Sequence, residues 1–444
     1  MQMTKIALAL TLSLPALSAF ADTTQTQLEQ QQQQIQELRK RLQAIEEGTV
    51  DEKPREASDN RFNPAISLVL QGGLVDYSED PEEFHLQGMP LGGEAGLHEQ
   101  GLALWETELT AAANVDNLFY AQTTLGMHTH DGDIELDIEE AYLDTLGLPA
   151  GVGVRFGRFY SAIGYLNDHH THTWDFADAP LAYQAFLGKQ YRDDGLRLSW
   201  VAPVDSLLLE IGGEMLRGSH YPGGEHEKAL GASRTLFVNL GGDLGQSHSW
   251  QLGLSYLGVD SVQRSSGGHS HEDETETHTP LFDGDSDLAV IDGVWKTELG
   301  GERALIVQGE YLLRDESGQI SLEEEGGTAL IDYQGDQSGW YLQGIYQFNR
   351  QWRTGLRYDR LNADNDLSLL SNGTDEEDDH LLEASGYFSG ADDPHRSTLM
   401  VDWSPSEFSR LRLQYALDDS RADTDRQLAL QYIMTLGAHA AHAY

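Results

Sequence analysis

From Pro64 to Tyr444 the chain repeats short segments in which apolar and polar residues alternate. Ile66, Leu68 and Leu70 alternate with Ser67, Val69 and Gln71, and Trp250, Leu252, Leu254 and Tyr256 alternate with Gln251, Gly253 and Ser255. Trp340, Leu342, Gly344, Tyr346 and Phe348 share one face, opposite Tyr341, Gln343 and Gln347; Leu428, Leu430, Tyr432 and Met434 make the last clear face. A period of two sends successive side chains to opposite sides of a strand. About sixteen such segments can be read, within a range of about 16–18. Tight turns fall near 115–117, 147–151, 203–206, 246–248, 300–302, 349–351 and 404–409. Between them come longer stretches at 78–100, 128–133, 165–191, 217–232, 263–287, 315–338, 362–394 and 418–425. Short and long connections alternate, as they do in transmembrane barrels. The pattern predicts an all-β fold, a transmembrane antiparallel β-barrel over residues 63–444. Both of its ends should lie at the tight-turn side and its long loops outside.

The first sixty residues read differently. Lys5, the apolar run Ile6 to Leu17 and the small residues of Ala19-Phe20-Ala21 predict a signal peptide over 1–21. No later apolar stretch approaches roughly 18 residues, so no helical span is expected. Leu28, Ile35 and Leu42 recur every seventh residue, with Leu38 and Ile45 at intervening positions. This predicts a periplasmic coiled coil over 22–47, which needs partners to be stable and so points to a homo-oligomer. A polar spacer that becomes helical only on assembly is the alternative. Residues 48–62, charged and containing Pro54, read as a linker. The expected location is the bacterial outer membrane.

Composition narrows the partners. Cysteine is absent, so any metal must be held by His, Asp and Glu. Asp and Glu number 73 against 28 Lys and Arg, a net charge of −45. That excludes nucleic acid as a main partner and favours cations, although acidic loops also keep an exposed barrel soluble. Membrane lipid, small solutes or metal ions, and further copies of the chain remain.

Three groups of residues carry candidate chemistry. The connection 165–191 holds Trp174, Asp175, Phe176 and Asp178, followed by Leu181, Tyr183 and Phe186. So apolar a loop is expected to fold into the lumen as a constriction rather than face water, the alternative being packing on neighbouring loops. Alternation then points Arg155, Arg197, Arg353, Arg357, Arg410 and Arg412 inward, since arginine on a lipid face is costly. They would oppose the acidic loop across an eyelet, or pair with inward acids such as Glu106, Glu108, Glu135 and Asp137. Third are the histidines. His128 and His130 sit with Asp131; His169, His170 and His172 with Asp168; His220 and His226 flank glutamates; His269, His271 and His278 lie in an acidic stretch. Imidazole with carboxylate suits zinc and similar divalent ions, bound or transported, and no cofactor is otherwise required. A pH-sensitive gate or plain polar loops would use the same residues. No nucleophile elbow, phosphate-binding loop or zincin helix is present, and no enzyme is expected.

The order of signal, coiled coil, linker and barrel resembles that of the phosphate-selective porins of the O/P type. Gly157-Arg158-Phe159 before the long third loop and Asp194-Gly-Leu-Arg197-Leu after it resemble their fifth and sixth strands. The resemblance implies a trimeric, passive outer-membrane channel. Those channels rely on lysines and arginines for anions, whereas these loops are acidic. The His-rich loops and the ending Gly437-Ala-His439-Ala-Ala-His442-Ala-Tyr444 look more like the zinc-regulated outer-membrane proteins, some labelled TonB-dependent receptors. That likeness implies metal handling. A binding scaffold with a filled barrel and a general porin are the competing expectations.

Overall fold

The structure is a computed structural model describing residues 64–130, 133–204, 206–265, 280–324, 327–373, 377–388 and 393–437. The expected signal peptide, coiled coil and linker lie outside these residues, as do Asp131, the side chain of His130, and His269, His271 and His278.

Sixteen strands form one closed antiparallel barrel. They are β1 Ala65–Tyr77, β2 Gly101–Asn114, β3 Phe119–His130, β4 Asp133–Thr145, β5 Val152–Tyr160, β6 Arg192–Val201, β7 Leu208–Leu216 and β8 Ser233–Asp243, then β9 His248–Ser265, β10 Leu281–Gly300, β11 Arg303–Glu324, β12 Gly327–Gln347, β13 Trp352–Ser371, β14 His395–Ser406, β15 Ser409–Asp419 and β16 Asp425–Gly437. Each strand pairs with its neighbours in sequence, and β1 closes on β16 with Leu68 opposite Leu436. Closure leaves no unpaired edge, which is what strands need in order to cross hydrocarbon. Two short helices lie in connections, α1 Leu181–Leu187 and α2 Asp378–Ala384.

The outer face carries the predicted apolar set. Leu252, Leu254, Leu342, Leu356, Leu413 and Leu430 are all exposed. On β11 the outward run from Leu305 to Leu313 covers about 27 Å of strand, or about 21 Å of height at a tilt of about 40°. Such a belt fits a bilayer core and not water.

Two long connections proved to be mostly strand. Residues 315–338 continue β11 and β12 far beyond the apolar belt, and of 128–133 the residues 128–130 end β3 while Asp133 opens β4 opposite His130. The reason is a second phase of alternation. Beyond the belt the outward residues turn polar, while Ile320, Leu322, Ala329, Ile331 and Tyr333 point inward and are buried. Phe282, Ile320, Ile331, Tyr333 and Tyr387 form one apolar cluster there, and Leu322, Ala329 and Leu381 of α2 form another. Beyond the belt the inner wall is apolar where Tyr387 and the α2 residue Leu381 pack against it.

Candidate functional site: the third loop and the wall it meets

The connection between β5 and β6 enters the barrel. Its neck is closed by Asn167, whose amide donates to the carbonyls of Ser161 and Tyr191 at 2.8 Å each and accepts from the Tyr191 N–H at 2.7 Å. Glu310 on β11 holds the next turn. It accepts from the N–H groups of Tyr165 and Leu166 at 3.0 Å and from the hydroxyls of Tyr183 and Tyr341 at 2.9 and 2.7 Å. Helix α1 is buried at every position. Burying Leu181, Phe186 and Leu187 contributes roughly 1.5–3 kcal/mol each. Asp359 of β13 accepts the N–H of Leu181 at 3.1 Å. Gly339 of β12 gives the helix room, since a Cβ there would stand 2.8 Å from Ala182 Cβ and 3.1 Å from Phe186.

The arginines seat this loop. Arg353 donates to Asp175 at 2.8 Å, Arg357 to Asp178 at 2.9 Å, and Arg412 to the carbonyl of Trp174 at 2.7 Å. Phe176 lies under the Arg357 guanidinium at 4.7 Å. Arg410 reaches the Trp174 carbonyl at 3.5 Å. Arg155 instead pairs with Asp144 at 2.8 Å, and Arg197 with Glu214 at 2.6 Å. The loop acids therefore contact the basic wall directly, and no open gap separates Asp175 or Asp178 from it. Arg396, fully buried and 2.8 Å from Asp178, belongs to the same set.

The loop lies between two cavities. One, of about 1430 Å³, opens among the first long connection and is lined by Glu79, His98, His128, Asp178 and Lys189. The other, of about 1900 Å³, opens at the tight-turn end and is lined by His169, His172, Asp175, Lys296, Arg353 and Arg410. Thr171 and Trp174 face the first cavity, and His172 and Thr173 the second.

At this divide the loop histidines meet glutamates of the wall. His172 Nδ1 is 2.7 Å from Glu108 Oε1, and His170 Nδ1 is 3.1 Å from Glu108 Oε2. His170 Nε2 is 3.0 Å from Glu140, and His128 Nε2 is 3.9 Å from Glu139. Glu106 accepts from Thr171 at 2.8 Å and lies 3.7 Å from Lys189. Burial works against a charged His170, but Glu108 and its neighbours outweigh that and hold the imidazole well above its usual range.

The other predicted ligands lie elsewhere. His169 turns to the Tyr165 carbonyl at 2.8 Å, and Asp168 lies 3.7 Å from Arg197. His220 lies 3.3 Å from Asp193, and His226 contacts the carbonyl of Asp260. None of these joins a shared cluster, so the loop histidines do not form one outer binding surface among the described residues.

Glu106 and Glu108 were expected to point inward, whereas Glu139 and Glu140 were overlooked for a definite reason. The register slips at Thr124/Leu125, so Glu139 is an extra residue in β4, and Glu139 and Glu140 both turn inward. A second slip at Gln71/Gly72 makes Trp105 the extra residue before Glu106. Bulges break the two-residue period on which inward placement was read. Consecutive glutamates in an otherwise alternating strand were the available signal.

No family model matches the chain. An uncharacterized protein of Aquifex aeolicus is 31% identical over 418 residues, 87% of this chain and 81% of its own length. Among solved structures, the chain is similar to a loop L8 deletion mutant of OmpT of Vibrio cholerae, at 14% identity, 84% coverage of this chain and 99% of that one, and TM-score 0.48. It is also similar to the outer membrane channel DcaP of Acinetobacter baumannii, at 11% identity, 84% and 97% coverage and TM-score 0.48. OmpF of Salmonella typhi in complex with daunomycin gives 11% identity, 85% and 99% coverage and TM-score 0.47.

Proposed function

The chain belongs to one family with the uncharacterized Aquifex aeolicus protein, and from that premise we propose that it is a porin-like channel of the bacterial outer membrane. It is passive and non-catalytic, and it admits small solutes, among them divalent metal cations such as zinc. The supporting observation is a closed barrel with an apolar belt whose lumen holds two large cavities with the third loop between them. Glu79, Asp80, Glu82 and Glu94 line the cavity at the long-connection end, and such a rim raises the local cation concentration. The heptads at 28–45 favour a homotrimer on the membrane.

The test is single-channel conductance of the purified protein in a planar bilayer under a salt gradient, with and without Zn²⁺. Stepwise, cation-selective currents altered by low Zn²⁺ are expected. Steps indifferent to Zn²⁺ would leave a general porin. Folded, inserted protein without steps would favour a filled barrel acting as a binding scaffold, a reading to which the buried ion pairs of the third loop lend support.

A further inference from the structure

Four ligand-type atoms at the meeting of loop and wall are buried and make no hydrogen bond: Nε2 of His128, Nδ1 of His170 and both carboxylate oxygens of Glu139. Glu139 is fully buried. Glu139 has only long contacts, His170 Nδ1 at 3.6 Å and His128 Nε2 at 3.9 Å, and a buried carboxylate so poorly served is costly. Its neighbours are better served. Glu106 has Thr171, Glu108 has His172, and Glu140 has His170 and Gln122. Gly126 supplies the space for Glu139, because a Cβ there would stand 2.1 Å from Glu139 Oε1 and 3.0 Å from His128 Nε2. Atoms without a well-formed hydrogen bond thus converge on one point of the wall, His170 Nδ1 keeping only its ion-pair contacts with Glu108 at 3.1 Å and Glu139 at 3.6 Å.

Two sets of three ligand atoms gather around that point. One is Glu108, His170 and His172; the other is Glu106, His128 and Glu139; within each set the atoms lie within 4.8 Å of one another. Two imidazoles with one carboxylate suit a first-row transition ion, zinc above all, while one imidazole with two carboxylates is a harder set. The sets adjoin, since His170 Nδ1 lies 3.6 Å from Glu139 Oε2. They also look opposite ways, with His128 on the cavity at the long-connection end and His172 on the cavity at the turn end.

We propose that the wall of β2–β4 and the third loop together form a transition-metal site, with Glu108, His170 and His172 holding the ion and Glu106, His128 and Glu139 forming an adjoining station toward the first cavity. The ion bridges loop and wall. Its use as a passage point between the cavities rests on the channel reading above; its binding does not. Multiple sites of moderate strength, rather than one closed cage, are what lets an ion leave again.

The probe is Co²⁺, whose visible absorption reports imidazole ligation, added to the chelator-stripped, detergent-solubilised full chain. The background is His269→Ala, His271→Ala and His278→Ala, which removes the acidic histidine stretch. Saturable ligand-field absorption that Zn²⁺ displaces is expected. His170→Ala with His172→Ala should weaken it by about tenfold or more, the scale on which lost metal-site groups act. Glu139→Gln, nearly isosteric and the milder change, should weaken it less but measurably. Heat-modifiable gel mobility verifies the fold of each variant. Absorption unchanged in both folded variants would overturn the site. So would its absence from the background protein, which would leave a proton shared between Glu139 and Glu106 as what satisfies those atoms. Conductance of the same samples keeps the two readings apart. Binding without Zn²⁺-sensitive current leaves the site and removes its role in passage, whereas Zn²⁺-sensitive current without binding removes the site alone.

Discussion

Asp178 shows how single side chains hold the third loop inside the barrel. Burial pushes its pKa up, but the guanidiniums of Arg357 and Arg396 outweigh burial and bring it down to about 2. Gln414 adds a hydrogen bond at 2.6 Å. Asp359 and Asp418 approach the same Arg396 at 3.7 and 3.8 Å. Because the folded pKa lies below the unfolded value of about 3.9, the contribution is complete above that value and is lost as pH falls toward 2. The anchoring that Asp178 supplies should therefore be constant from pH 7 to about pH 4 and be lost only below it. Asp178→Asn should show altered conductance already at pH 7, since removing one partner of a buried ion pair costs roughly 3–5 kcal/mol. Equal conductance and equal thermal midpoints for Asp178→Asn and wild type at pH 7 would remove Asp178 as the anchor. At this scale the sequence was partly readable. Inward arginines, an inserted loop and His170 with His172 follow from alternation and residue type, whereas Glu139 owes its place to a one-residue bulge announced only by the Glu139-Glu140 pair.

At the level of elements, the extended strands beyond the apolar belt carry an unusual row. Asp287 of β10 faces Asp315 of β11, Asp315 faces Asp336 of β12, and Asp336 faces Asp364 of β13, all exposed. Like charges directly opposite on neighbouring strands are destabilising by roughly 0.2–1 kcal/mol per pair. Asp315, with a carboxylate on each side, is the sensitive member. Asp315→Asn should raise the thermal midpoint at low ionic strength, and the gain should shrink in high salt as screening weakens the repulsion. Equal midpoints for wild type and variant at low salt would show that the row is already neutralised. The same strands show where element boundaries escape a sequence reading. The acids and glycines of 315–338 look like a loop, yet Ile320, Leu322, Ala329, Ile331 and Tyr333 keep strict alternation through them. Their apolar face points to a loop-filled interior rather than to lipid, so the usual sign of inside and outside is reversed.

For the whole molecule, the belt and the closed ring set stability together. Leu342 lies in mid-belt and is about half exposed to the surroundings. Leu342→Arg should cost about 2–4 kcal/mol in lipid. Refolding titrations into bilayers would measure it, and a neutral result would place the hydrocarbon elsewhere on the barrel. The ring itself was legible, because short and long connections alternate with a two-residue period between them. The filling of its lumen was legible only in outline, since which wall residues meet the loop depends on register. That ring has a consequence for how the protein is made. Ser67 pairs with Gly437 and Ser78 bonds to Asp425, so the seam joins the first strand of the barrel to the last. The final strand must be delivered before the first can find its lasting partner. Pairing across such sequence separation is intrinsically slow. The arginines that seat the third loop stand on β13 and β15, so that loop takes its final place only when the late strands have arrived. A late fault at β16 would leave β1 without its lasting partner and Arg412, which seats the loop, without Gln431.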